Sequence, residues 1–141
     1  MLDKVLRFFR GVSSGRGTEA VDRSNNAIFV LMLGRLPMLV LSRNSDGWTM
    51  RYTDAFKDQS RVAPLVPFPE VNKVYRSQEL WPFFSVRIPS IARPEVERTV
   101  REEHLDYDDL AAMLRRFGRR SVADPFELRP APDANELVGA N

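Results

Sequence analysis

The chain has 141 residues, 43% of them hydrophobic and 28% charged, with a formal net charge of +2. This is enough for one domain with one core, and the composition is that of a soluble globular protein, so no nucleic-acid partner follows from charge alone. The absence of cysteine excludes disulfides, thiol catalysis and cysteine-ligated zinc, and it fits a cytoplasmic protein in a reducing compartment.

The first segment, residues 1–26, reads as an amphipathic helix and a flexible linker. Leu2, Val5, Leu6 and Phe9 fall at helical spacing with Lys4, Arg7 and Arg10 between them. Such a helix packs on a domain edge, or meets a membrane surface or a partner. It has no continuous apolar region and no small-residue cleavage site, so it does not read as a signal peptide. Gly11 to Thr18 is rich in Gly and Ser, but it lacks the lysine, the spacing and the preceding strand of a phosphate-binding loop. It is a linker.

A domain over 27–129 follows. Ala27 to Leu33 is an unbroken apolar run, expected as a buried strand and far short of the roughly 20 residues of a membrane span. Gly34 to Pro37 reads as a turn and Met38 to Ser42 as a second strand. Asn44-Ser45-Asp46-Gly47 supplies turn chemistry, and Trp48 to Thr53 alternates strictly, with Trp48, Met50 and Tyr52 on one face. Three antiparallel strands of a meander are expected. Val62 to Tyr75 holds Pro64, Pro67 and Pro69, a density that fits an extended edge or a long loop and not a central strand.

Three helices are expected next. Pro82 is acceptable only in a first turn, so a short helix starts near Leu80 and stops before Pro89; a second opens at Pro94. The third has Asp106 as its expected N-cap, an apolar stripe of Leu110, Met113, Leu114 and Phe117, arginines at its end, and Gly118 to close it. Ser121 to Leu128 reads as a strand interrupted by Pro125, and 130–141 as a disordered tail. The expected fold is α+β: a small antiparallel β-meander or partly closed sheet packed by three short C-terminal helices, plus the N-terminal helix.

No residue set for catalysis stands out. His104 is the only histidine, and neither a metal site nor a Ser/His/Asp triad forms around it at ligand or elbow spacing. Asp106, Asp108 and Asp109 are explained by a helix start. The expectation is no enzyme, no cofactor and no metal.

Two clusters point to contact. Trp81, Phe83 and Phe84 cannot all point inward from one short helix. Trp81 and Phe84 project within about 60° of each other, and Phe83 points elsewhere. With Leu80 and Phe84 filling the inner face, Trp81 is expected at the surface, where a large apolar group marks a contact site. Arg115, Arg116, Arg119 and Arg120 form a basic cluster without an acid among them, which suits a phosphate or an acidic partner, or a solvated face.

Taken together, Trp48-Thr-Met-Arg-Tyr52, the Pro64 to Pro69 stretch, Leu80-Trp-Pro-Phe-Phe84 with Ile88-Pro89, and Phe117-Gly-Arg-Arg-Ser-Val122 resemble the N-terminal subdomain of bacterial HipA-type toxin kinases. The resemblance covers about Ile28 to Leu128. The sequence departs from the family pattern at Leu36-Pro37-Met38, where a glycine usually follows the first hairpin turn, and at Ala123-Asp124-Pro125, where small residues are usual. It also carries no kinase catalytic-loop or metal-binding motif and ends where the kinase lobes would begin, so phosphotransfer is not expected. The resemblance implies a regulator or antitoxin that docks a separately encoded HipA-type Ser/Thr kinase. Trp81, Phe83 and Phe84 match the aromatic helix and would form its plug, with Arg87 pairing acidic groups at the rim of the partner's cleft. The alternative is an accessory module on nucleic acid that uses Arg115 to Arg120.

Overall fold

The structure, a computed structural model, describes residues 26–130. The expected N-terminal helix, nearly all of the linker and the tail after Pro130 lie outside the described residues. Five strands form one antiparallel sheet: β1 (Ala27–Leu33), β2 (Leu36–Asn44), β3 (Gly47–Tyr52), β4 (Tyr75–Ser77) and β5 (Glu127–Pro130), in the order β4-β3-β2-β1-β5. Among the described residues four helices accompany it: α1 (Asp54–Lys57), α2 (Pro82–Ser85), α3 (Pro94–Glu102) and α4 (Leu110–Phe117). The fold is α+β and the sheet is open.

The meander is longer than three strands. β4 emerges from the end of the proline-rich stretch to pair with β3, and β5 returns to pair with β1 through Phe29↔Pro130 and Leu31↔Leu128. β5 starts later than expected, because Pro125 has no N–H for a ladder and Ser121 to Asp124 close a tight bridge instead. β2 starts earlier than expected. Leu31 pairs with Leu39 while Met32 pairs with Pro37, so Met38 is an extra, bulged residue. The bulge sends both Met38 and Leu39 into the core, and the Pro37 carbonyl accepts the Thr53 hydroxyl.

Alternation along β3 places Trp48, Met50 and Tyr52 in the main core with Ala27, Phe29, Leu31, Leu41 and Leu128. Phe56 of α1, Leu65, Phe68, Phe84 of α2, and Ala111 and Leu114 of α4 seal this face. Helix α1 was not anticipated. Thr53 caps it by accepting the Phe56 N–H, and Phe56 then stacks on Tyr52 at 4.7 Å between ring centroids.

The N-cap of α4 is Asp109 rather than Asp106, which instead accepts the Asp108 N–H in the preceding turn. Asp109 Oδ1 both accepts the Ala112 N–H and pairs with Arg43 at 3.1 Å, tying the helix start to β2. His104 is explained by the end of α3. At φ 56° it occupies the left-handed position after the cap, where its N–H bonds Arg101 O and the following Leu105 N–H bonds Val100 O. Gly118 closes α4 as expected, but at φ −92° it is not left-handed. Space requires the glycine, since a Cβ would lie 2.8 Å from Leu114 O.

Gly47 combines both constraints. Its φ is +123°, and a Cβ there would stand 2.6 Å from the Ser77 carbonyl of β4. Gly47→Ala is therefore expected to cost about 2 kcal/mol or more, from strain and displacement of the edge strand. Denaturant unfolding of the two proteins measures it.

Candidate functional site

The proline-rich segment is held by one phenol. Tyr52, buried in β3, donates its hydroxyl hydrogen to Phe68 O at 2.6 Å and accepts the Leu65 N–H at 2.9 Å. Pro64, Pro67 and Pro69 remove ladder donors, so this segment cannot join the sheet, and the Tyr52 hydroxyl satisfies its inward-facing backbone groups instead. The Leu65 to Phe68 turn then directs Phe68 inward.

Phe68 is the hub of the aromatic cluster. Its ring centroid lies 5.4 Å from Trp81, 6.3 Å from Phe83 and 6.1 Å from Phe84, and 5.1 Å from Tyr75 of β4. Phe83 also meets Phe84 edge-on at 5.1 Å and Phe126 at 6.1 Å. Each such pair contributes about 0.5–1.5 kcal/mol beyond the burial of its area, so the cluster is stiff. Pro82 opens α2 at its first position and fixes the extended geometry of Trp81, the N-cap.

The three aromatics separate into two environments. Phe84 has no accessible surface, whereas Trp81 and Phe83 are half-buried. Pro82, the first residue of α2, and Val86, its C-cap, are exposed, Val86 to 59%. Val66, at 92%, is exposed two residues from the hub. The outward surface thus consists of the accessible parts of Trp81 and Phe83 together with Pro82 and Val86. The sequence reading missed Val86. Counting around the short helix would have shown it on the side away from Phe84.

Two implications of the resemblance are corrected. Phe84 fills the inner face, as helical spacing indicated, and stacks on Phe68 in the core, so it is not part of an exposed plug. Arg87 does not reach the surface either. Its side chain is fully enclosed and its Nη2 lies 2.7 Å from Asp124 Oδ1, a carboxylate only 11% exposed. The guanidinium also sits 6.0 Å from the Phe83 ring centroid. Its Nε and Nη1 have no hydrogen-bond partner among the described residues. Burial lowers the Arg87 pKa, and the Asp124 charge and hydrogen bond oppose that shift. Arg87 thus clamps α2 to the turn before β5. Its spacing three residues after Phe84, the inner-face position, was the available signal for an inward position.

The basic cluster is largely engaged. Arg116 makes two hydrogen bonds to the Glu103 carboxylate, at 2.8 and 3.0 Å. Arg119 and Arg120 lie 2.9 and 3.6 Å from Glu127, which Arg129 also approaches at 3.2 Å. Arg115 is exposed. The acids come from outside the cluster's own stretch of sequence, which is why the local reading found none. A concavity of about 380 Å³ lies beside the β2–β3 turn, lined by residues including Asn44, Asp46, Trp48 and Arg76.

Among the described residues, no group of three or more His, Asp or Glu is placed to hold a metal ion, and no helix is long and apolar enough to cross a membrane. No family model, curated protein or solved structure matches this chain.

Two substitutions test the supports of the site. Tyr52→Phe leaves Leu65 N–H and Phe68 O without their partner and is expected to cost about 1–3 kcal/mol. Burial also raises the Tyr52 pKa above its ordinary value, so folding favours the neutral phenol. Its contribution is complete below about pH 10 and declines as pH rises from there through the folded-state pKa. The stability gap between wild type and Tyr52→Phe should narrow over that window. Asp124→Ala strands the Arg87 charge and is expected to cost about 3–5 kcal/mol, much of it regained in Asp124→Ala/Arg87→Met. Equilibrium unfolding of both variants is the measurement.

Proposed function

We propose that the chain is a non-catalytic protein-binding module, a regulator or antitoxin of a separately encoded HipA-type Ser/Thr kinase. The observation that carries this reading is the rigid aromatic ledge of α2. Trp81 and Phe83 stay partly accessible while they pack in T-shaped contacts against Phe68 and Phe84. A partner gains apolar contact there without first ordering a flexible side chain, which lowers the entropic cost of association. Aromatic anchors of this kind dominate the energetics of protein interfaces.

The reading also rests on the sequence resemblance, narrowed to the residues that reach the surface. Trp81 and Phe83, flanked by Pro82 and Val86, enter the kinase's cleft and occupy it sterically. Phe84 and Arg87 support them from below. The nucleic-acid alternative receives less support, because Arg116, Arg119 and Arg120 already face Glu103 and Glu127.

Binding of the purified full chain to a HipA-type kinase, measured by calorimetry, tests the proposal. Trp81→Ala should weaken the complex by about 30-fold or more, the equivalent of 2 kcal/mol at a hot spot. Since Trp81 also packs against Phe68, Val86→Asp is the companion variant. It changes an exposed side chain, should leave thermal unfolding unaltered, and should weaken binding as well. Absence of a complex, or two variants that bind as wild type does, would refute the assignment.

A further inference from the structure

The sheet has a second face that the core just described does not use. Strand parity places Ile28, Val30 and Met32 of β1, Val40 and Ser42 of β2, and Thr49 and Arg51 of β3 on it, with Arg76, Glu127 and Arg129 on the outer strands. Its apolar residues lie outside the main core cluster. Even so, Ile28 is 8% accessible, Val30 0%, Met32 4% and Val40 3%. Ser42 is buried too, with no hydrogen-bond partner for its hydroxyl among the described residues.

A bare sheet face leaves its outward side chains in water, so these values require a layer above β1 and β2. The described helices do not supply it. α1, α2 and α4 turn Phe56, Phe84, Ala111 and Leu114 to the opposite face, and outside that core α3 and α4 bury only Val96 and Met113, too little to cover four strand residues and Ser42. The loop residues Leu65 and Phe68 also belong to the opposite core.

The apolar strip has a definite size. From Ile28 to Met32 it runs about 14 Å along the strands, and over β1 and β2 it is about 10 Å wide. Polar and charged residues bound it on both sides: Thr49, Arg51 and Arg76 on one, Glu127 and Arg129 on the other. One short helix, about 10 Å across, fills such a strip; two do not fit.

We infer that the amphipathic segment Leu2–Arg10 is the layer that covers this strip. As a helix it would be about 13.5 Å long, matching the apolar strip. Leu2, Val5, Leu6 and Phe9 form its apolar stripe, and Lys4 and Arg7 fall on the opposite side. The intervening residues 11–26 can span up to about 50 Å, far more than is needed to return from the start of β1. The other terminal segment, 131–141, has only Leu137 and Val138 as large apolar residues and cannot supply an equivalent face.

The lack of native cysteine makes an accessibility test direct. Ser42→Cys is close to isosteric, and in the full chain its thiol should react with a disulfide reagent at least about ten times more slowly than that of Ser45→Cys in the exposed turn. Adding Leu6→Asp and Phe9→Asp should abolish that protection while circular dichroism stays native. Because those changes could impair folding, a second measurement uses cysteine pairs. Leu6 or Phe9 replaced by Cys, together with Val40→Cys or Ser42→Cys, should yield a disulfide within one chain in dilute solution. Fast labelling of Ser42→Cys in the otherwise unaltered chain would overturn the inference. So would protection that survives in a natively folded Leu6→Asp/Phe9→Asp variant, or cross-links that form only between chains, which would identify a second copy as the cover.

Discussion

The Tyr52 hydroxyl joins two parts of the chain that cannot form regular structure together. On one side is β3, with its backbone committed to β2 and β4. On the other is a segment whose prolines prevent it from pairing with any strand. By accepting one backbone hydrogen bond and donating another, a single buried oxygen fixes the turn that carries Phe68. Trp81, Phe83 and Phe84 all pack on that ring. The position of the aromatic ledge is therefore transmitted from the sheet through Tyr52 and Phe68, and only then to α2.

A second constraint acts on α2 from the other end. The helix has four residues and no side-chain cap, too little to hold itself together. The enclosed Arg87–Asp124 pair joins it to the turn before β5, and Asp124 also accepts the Phe126 N–H. An ion pair in such a place contributes little net stability compared with an apolar replacement, but its geometry is demanding. Together the two constraints support half-buried aromatic side chains on very little secondary structure. That suits a surface that presents a preformed shape to a partner.

Much of the local structure was legible in the sequence. Strict alternation in Trp48 to Tyr52 marked the core face of β3, and Pro82 and Pro94 marked helix starts, because an absent N–H is harmless only there. The aromatic helix was legible as an unusual element, but the division of labour within it was not. Helical spacing put Phe84 on the inner face while the resemblance put it in the plug, and Arg87 read as a surface candidate because local sequence does not show Asp124, which lies 37 positions away in the chain. The arginine cluster misled for the same reason, since Glu103 and Glu127 belong to other elements.

By itself, then, the sequence determined which segments could be strands, helices or neither, since periodicity, proline and capping chemistry act over a few residues. It also marked β1 as apolar on both faces. Tertiary structure alone decided the bulge at Met38, the return of β5 to β1, and the partners of Tyr52, Arg87 and the arginines. Each of these depends on groups far apart in the chain being brought within hydrogen-bond or van der Waals range. No local pattern encodes that distance, and so the surface left for a partner emerged only after the interior had taken Phe84 and Arg87.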